Sequence, residues 1–296
     1  MRIVHLFPDV LRFYGDGGNV ATLAQRARLR SIDVEVAEVT VGAGRLPLAD
    51  LFFIGGGQDR EQVTVAGELE RLGGQLMDRV ADGAALLAVC GGYQNLGTAY
   101  RTALGSDLPC PGLLPVSTDA AGRRRRLVGP VVARIGGPAL ELVSGAMGAP
   151  DGRPDPGREA WPVRTLVGFE NHGGRTTLAL DAAPLADVAI GYGNNGIDGT
   201  EGVLIRPGEG GLRGLRIGTY LHGPLLPRNP HLADALIAAA LTAGGTPPRL
   251  APLDDTLEWE AHRAARERIR AASGSRHRTP DWVRGLVDPV RNLIGY

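Results

Sequence analysis

The chain contains no lysine; all 32 of its basic residues are arginines, balanced by 32 aspartates and glutamates. A phosphate loop of the GxxxxGK[ST] kind and a pyridoxal Schiff base both need a lysine amine, so neither chemistry is housed here. A formal net charge of zero supplies no overall field for nucleic acid or an acidic surface, and nucleic acid is not an expected partner. There are two cysteines, Cys90 and Cys110, too few for a disulfide framework or a cysteine-rich zinc site, and no residue is assigned to a metal. No stretch reaches the roughly 20 apolar residues of a membrane span, and Met1 to Val10 has neither a basic leader region nor a long apolar one. These absences imply a cytoplasmic protein.

What is present suits one large α/β domain with appendages: 296 residues, 43% of them apolar, can fill a sizeable core. Strand and helix patterns alternate. Arg2 to Phe7 is strand-like, Gly18 to Leu29 helical, Val34 to Val39 and Leu51 to Ile54 strand-like, and Glu61 to Asp82 helical, followed by the apolar strand Ala85 to Val89. This rhythm predicts a doubly wound, mostly parallel, flavodoxin-like sheet with helices on both faces and its ligands at the carboxyl ends of the strands. Residues 1–245 form the expected main domain, carrying a Gly/Pro-rich surface insertion at about 136–163. Helical patterns return at Pro230 to Thr242 and Thr256 to Ala272, so that 246–272 reads as a helical extension and 273–296 as a tail. In that tail Trp282, Val283, Leu286, Val287, Val290, Leu293 and Ile294 could dock on a partner or touch a membrane surface; a plain terminal extension is the simpler reading.

Cys90 stands between the strand Ala85 to Val89 and the turn Cys90-Gly91-Gly92-Tyr93-Gln94. A thiol at a strand-to-helix corner is expected to expose its sulfur against the positive end of a helix, where thiolate, the reactive form, is stabilised. Three other glycine-containing motifs follow apolar stretches and are expected on the same rim: Gly55-Gly56-Gly57, Gly168 to Gly173, and Gly218 to Gly223. A cysteine nucleophile needs a base from elsewhere in the fold. Of the six histidines, His5 reads as a core or edge residue, and His231, His262 and His277 as solvated. His172 and His222 remain, and spacing alone does not choose between them.

The cysteine turn fits the C-x-G-x-Q signature of class I glutamine amidotransferases. The stretches from Gly168 to Thr176 and from Gly218 to Gly223 resemble the paired motifs of the cobyric acid synthase-like branch. Within that branch, Phe53 to Gln62 and Pro224 to Pro230 are similar to the glutaminase subunits of lipid II isoglutaminyl synthases. The resemblance spans roughly residues 1 to 245 in several ordered motifs, which is far more specific than a lone glycine motif.

The resemblance implies that Cys90 attacks the side-chain amide of L-glutamine, that His222 moves the protons, and that water resolves a γ-glutamyl thioester to glutamate. Backbone N–H groups at Gly91 and in the loop of Gly56 and Gly57 are the expected oxyanion hole, a plain turn being the alternative for that loop. Gln94 lies one helical turn past Cys90, placed to bond substrate or to brace the corner. The resemblance further points to an arginine before Leu127-Val128-Gly129 as a clamp for the glutamine carboxylate. Arg126 fits, although Arg123, Arg124 and Arg125 precede it and such a run is often a solvated face. Glu170 and Asn171 are weaker candidates for the substrate ammonium or for orienting His222. Many relatives place an acid two residues after the histidine, completing a triad; here that position is Pro224. Cys110, between Pro109 and Pro111, reads as structural.

The chain has no sign of an ATP-dependent activating domain, so no cofactor is expected in it. The resemblance implies a separate MurT-type, Mur-ligase-like subunit that uses ATP and Mg²⁺ to activate the D-glutamate α-carboxylate of lipid II, a membrane-bound acceptor. An amidotransferase for another acceptor such as a corrinoid, and a non-catalytic scaffold for a ligase, are the competing readings. The retention of Cys90, Gln94 and His222 weighs against the scaffold.

Overall fold

Runs such as Leu51-Phe52-Phe53-Ile54 and Ala85-Leu86-Leu87-Ala88-Val89 bury every residue, as strands covered on both faces must. In the computed structural model, which describes residues 1–11, 15–122, 124–146, 164–242 and 248–274, they are the centre of a six-stranded sheet. Its strands are β1 (Arg2–Leu6), β2 (Glu35–Val39), β3 (Leu51–Ile54), β4 (Ala85–Val89), β13 (Val203–Ile205) and β14 (Arg216–Thr219). They lie in the order β13-β14-β4-β3-β1-β2, and only β13 pairs antiparallel. The flanking helices are α1 (Gly17–Arg28), α2 (Asp59–Ala81), the short α3 (Gly91–Asn95), α4 (Gly137–Ala146), α5 (Pro230–Ala240) and α6 (Thr256–Gly274). Up to residue 90, elements fall within a residue or two of the bounds read from the sequence.

Two further sheets follow. One holds β5 (Ala99–Arg101), β6 (Asp107–Leu108), β7 (Val116–Asp119) and β10 (Arg175–Leu178). The other holds β8 (Leu127–Arg134), β9 (Thr165–His172), β11 (Ala186–Ile190) and β12 (Thr200–Glu201), all antiparallel. The motif from Gly168 to Gly173 is expected to follow a strand onto the rim shared with Cys90; instead residues 168–172 lie within strand β9 of this antiparallel sheet. Phe169 joins the turn after β14 through an isolated bridge to His222.

Two other expectations change. Residues 137–146, placed in a surface insertion, form α4, whose Ala139, Val143 and Ala146 are buried; residues 147–163 of that insertion and residues 275–296, including His277 and the apolar tail positions, lie outside the described residues. His231 and His262, read as solvated, are buried, because α6 folds back on the body through Trp259, stacked on His231 at 5.2 Å. His262 bonds the Arg228 carbonyl through Nδ1 (2.7 Å) and the Thr165 hydroxyl through Nε2 (2.8 Å).

Nδ1 donates to the carbonyl; with the ring held neutral near pH 7 by burial, Nε2 is left to accept from the hydroxyl. Burial pushes its pKa down to about 4. A histidine depressed in the folded state contributes stability above its unfolded pKa of 6.5, lost as pH falls toward the folded value. Glu170 and Glu201, raised to about 7 by burial, act in the opposite sense, so the effect is read as a difference between proteins. From pH 7 to pH 5 the native chain should lose about 2 kcal/mol relative to His262→Gln, which keeps a donor and an acceptor but does not titrate. Urea unfolding at the two pH values measures it.

A buried ion network fixes α1. Arg26 forks to Asp234 (2.7 and 2.8 Å) and Asp255 (2.6 and 3.0 Å), and Arg30 reaches Asp234 at 2.7 Å. Removing one partner of such a set strands a buried charge, so α1 is tied both to α5 and to the approach to α6.

Candidate active site

The last residues of β14, β4 and β3 are neighbours: Thr219 pairs with Val89, and Ile54 with Ala88. Each strand then breaks into a turn, which delivers Leu221-His222, Cys90 and Gly55-Gly56-Gly57 to one spot. Cys90 has φ 51° and ψ −104°, a backbone state that disfavours any side chain by about 1–3 kcal/mol and persists where the surroundings over-determine it. The amides of the corner are assigned. Cys90 N–H bonds Thr219 O, Gly92 N–H bonds Gly55 O, and Gln94 N–H bonds Cys90 O.

The sulfur is not exposed as expected: Cys90 is 5% accessible, because the Gly56 loop and His222 close over it. A Cβ on Gly56 would stand 3.1 Å from both Cys90 Cβ and His222 Cε1, and one on Gly55 would stand 2.8 Å from Asp16 Oδ2. These glycines are the space into which thiol, imidazole and carboxylate fit. The helix after Cys90 is five residues long, too short for a strong macrodipole, and the local charge partner is His222.

His222 is fully buried, and its backbone is pinned by β9, with His222 N–H to Phe169 O at 2.7 Å. Burial alone would push its pKa down; the neighbouring Cys90 sulfur and the Asp16 carboxylate outweigh this and raise it to about 10. Asp16, unnoticed in the sequence, places Oδ1 3.9 Å from His222 Nδ1 while Oδ2 accepts the Gly56 N–H at 2.7 Å.

The other histidine considered as base is differently employed. His172 stacks on Tyr220 (3.5 Å between ring centres) and bonds Gly174 O through Nδ1; burial drives its pKa down to about 3, so it is held neutral.

Gly57 and Gly91 face each other, with Gly57 N 3.0 Å from the Cβ position of Gly91. Neither N–H donates to an acceptor among the described residues. The Gly57 carbonyl is held by Gln62 Nε2 at 3.0 Å. Gln94 donates its side-chain amide to the Tyr220 hydroxyl at 3.0 Å, which continues to Thr176 and Thr118, a bracing position behind the corner. Arg126 is exposed and bonds Asn171 through its side-chain and main-chain oxygens, both at 2.9 Å, so these two expected substrate residues are brought together across β8 and β9. Arg175 holds the Arg125 carbonyl at 2.7 Å and thereby sets the approach of Arg126. Glu170, next to Asn171 on β9, is buried, its two oxygens accepting the N–H groups of Tyr192 and Gly193; the carboxylate supports that loop. The Tyr100 hydroxyl, also unforeseen, is raised in pKa first by burial and further by Asp59, Tyr220 and Cys90, while Arg126 opposes. It therefore sits in the field of both the nucleophile and the arginine. Cys110 is half-buried, its thiol pushed up to about 11 by burial.

A strained thiol at the carboxyl end of a central parallel strand, with an imidazole on the next strand end and, opposite, two amides that no described residue engages, defines a nucleophile site of the amidotransferase class. The chain belongs to the family of CobB/CobQ-like glutamine amidotransferase domains, which it matches over residues 2–230. Its relatives include the GatD subunit of the glutamine-hydrolysing lipid II isoglutaminyl synthase of Staphylococcus aureus (strain N315), 35% identical over 93% of this chain and 99% of that protein. The corresponding Streptococcus pneumoniae subunit is 31% identical over 81% of this chain and 80% of its own length. A cobyric acid synthase of Sphingopyxis alaskensis is 29% identical over 60% of this chain but only 28% of that protein. Among the described residues no helix is long and apolar enough to cross a membrane.

Proposed function

We propose that the chain is the glutaminase subunit of a lipid II isoglutaminyl synthase. His222 takes the Cys90 proton, and the thiolate attacks the side-chain carbonyl carbon of L-glutamine. The N–H groups of Gly57 and Gly91 receive the oxyanion. His222 returns the proton to the leaving nitrogen, ammonia departs, and water, deprotonated by His222, hydrolyses the thioester to glutamate. The observation that carries this reading is the joint placement of Cys90, His222 and, around Gly56, two amides that no described residue engages.

Ammonia is then a product to be used. The names of the two relatives that align over most of this chain support a ligase partner, which we take to be a MurT-type subunit. ATP and Mg²⁺ would be bound there, where the D-glutamate α-carboxylate of lipid II is activated and ammonia converts it to D-isoglutamine. A corrinoid acceptor is less well supported, because the cobyric acid synthase match covers little of that protein. The test is transfer of ¹⁵N from amide-labelled glutamine into lipid II by the reconstituted pair with ATP. Label arriving in the muropeptide supports the reading; hydrolysis of glutamine with no labelled lipid II under any ligase pairing rejects the acceptor.

In this mechanism Arg126 binds the glutamine carboxylate by a two-pronged contact present equally in ground and transition states. Arg126→Lys, which keeps charge but loses the fork, should raise KM for glutamine about tenfold with kcat little changed. Steady-state kinetics decide it; a fall in kcat at constant KM would remove Arg126 from substrate binding.

A further inference from the structure

Pro224 stands where many amidotransferases place the acid that supports the histidine. The structure supplies a carboxylate from the opposite end of the chain. We propose that Asp16 is the positioning residue for His222, orienting the imidazole through Nδ1 with one oxygen while the other fixes the Gly56 amide of the oxyanion loop. This inference deepens, and rests on, the Cys90–His222 mechanism.

Asp16 is fully buried. Its Oδ2 is satisfied by the Gly56 N–H, whereas Oδ1 is enclosed with no hydrogen-bond donor among the described residues and faces His222 Nδ1 at 3.9 Å. A buried polar oxygen needs a partner, and the imidazole Nδ1 is the polar atom it faces. At 3.9 Å the two atoms are in ion-pair range, and a small rotation of either side chain makes the hydrogen bond.

The turn that carries Asp16 is clasped to the segment that carries His222. A Cβ on Gly18 would lie 2.8 Å from Pro224 Cγ, so the proline ring sits directly on the first turn of α1. One residue on, Asn19 Oδ1 accepts the Leu226 N–H at 2.9 Å. The proline that removes the acid from its usual position is thus part of the contact that brings Asp16 in. Gly55, with no side chain, leaves the opening through which the carboxylate reaches the site.

Asp16→Asn separates the two tasks. Asparagine Oδ1 still accepts the Gly56 N–H, but its amide presents no negative charge to the imidazole. If Asp16 positions His222, the full chain with its ligase subunit should lose about 10- to 100-fold in kcat for glutamine hydrolysis in both Asp16→Asn and Asp16→Ala, with KM within about twofold. If Asp16 only braces the loop, Asp16→Asn keeps wild-type kcat, and the inference is overturned.

The pH profile gives a second readout. The ionisable groups whose charges act on His222 are Cys90 at the end of β4, Asp16 before α1, Glu201 on β12 and His172 on β9. Removing the Asp16 charge withdraws one anion from the imidazolium, so the limb reporting His222 should move to lower pH; an unmoved limb counts against the inference. Should the variants not fold, ¹⁵N NMR of the wild-type imidazole decides: a proton on Nδ1 is required, and a bare Nδ1 overturns it. A parallel Cys90→Ala sample keeps the two questions apart. Hydrolysis surviving in that sample rejects the underlying mechanism, whereas hydrolysis lost there but intact in Asp16→Asn rejects only Asp16.

Discussion

Cys90→Ala is expected to lower glutamine hydrolysis by about 10⁴-fold or more, while ammonia-dependent ligation by the assembled pair continues. The size follows from the role: the thiol forms the covalent bond, and without it neither the imidazole nor the oxyanion donors have a nucleophile to assist. Free ammonia bypasses only this chain's half-reaction, so the split between the two nitrogen sources is the informative readout. The same position carries a stability signature. With φ 51°, Cys90 holds a side chain where glycine would rest without strain. Cys90→Gly should therefore be inactive yet more stable than Cys90→Ala by about 1 kcal/mol, read as a higher unfolding midpoint. Equal midpoints for the two variants would show that the corner stores no strain.

Gly56→Ala should be the second most damaging change, lowering kcat about 100-fold. Its Cβ would enter the 3.1 Å space shared by Cys90 Cβ and His222 Cε1, and neither neighbour is free to retreat. Cys90 is fixed by the hydrogen bond its backbone N–H donates to Thr219 O, and His222 by its pairing with Phe169. One methyl group thus becomes a displacement of thiol against imidazole, and misplacements of this order cost about that much in rate. Gly74→Ala is the control. Nothing lies within 4 Å of its Cβ position in α2, and the change should add about 0.5–1 kcal/mol of helix stability with activity untouched. Comparable kinetics for the two alanine variants would contradict the crowded geometry at Gly56.

The residues that made the sequence readable are those whose role is written in local pattern. The buried runs of β3 and β4 have no polar interruption, and the switch at Cys90-Gly91-Gly92 and at His222-Gly223-Pro224 marks where each strand must stop. Adjacent strand ends then bring these turns together because a parallel sheet leaves its ligand site there. What escaped depends on partners distant in the chain. Asp16 lies in Gly15-Asp16-Gly17-Gly18, which reads as an ordinary turn until Pro224 and Gly56 are seen against it. In β7, Val116 and Thr118 face inward while Ser117 is exposed, an alternation hidden because the inward threonine is polar and satisfied by Thr176. His231 and His262 misled for the same reason: an imidazole counts as polar in a pattern, yet with both nitrogens of His262 bonded it is packed as core. The spacing of Trp259, His262 and Ile269, all buried, was the available signal, since steps of three and seven share one helix face.

The central claim is that Cys90 carries the glutamyl group. It is tested most directly by rapid acid quench of the full chain and its ligase partner turning over L-glutamine, followed by mass mapping of the peptides. The account predicts a γ-glutamyl adduct on the peptide containing Cys90, discharged by hydroxylamine as a thioester is and accumulating in His222→Ala only if proton transfer limits its breakdown rather than its formation. Rapid glutamine hydrolysis by a Cys90→Ala chain, or a glutamyl adduct on any other residue, would contradict it.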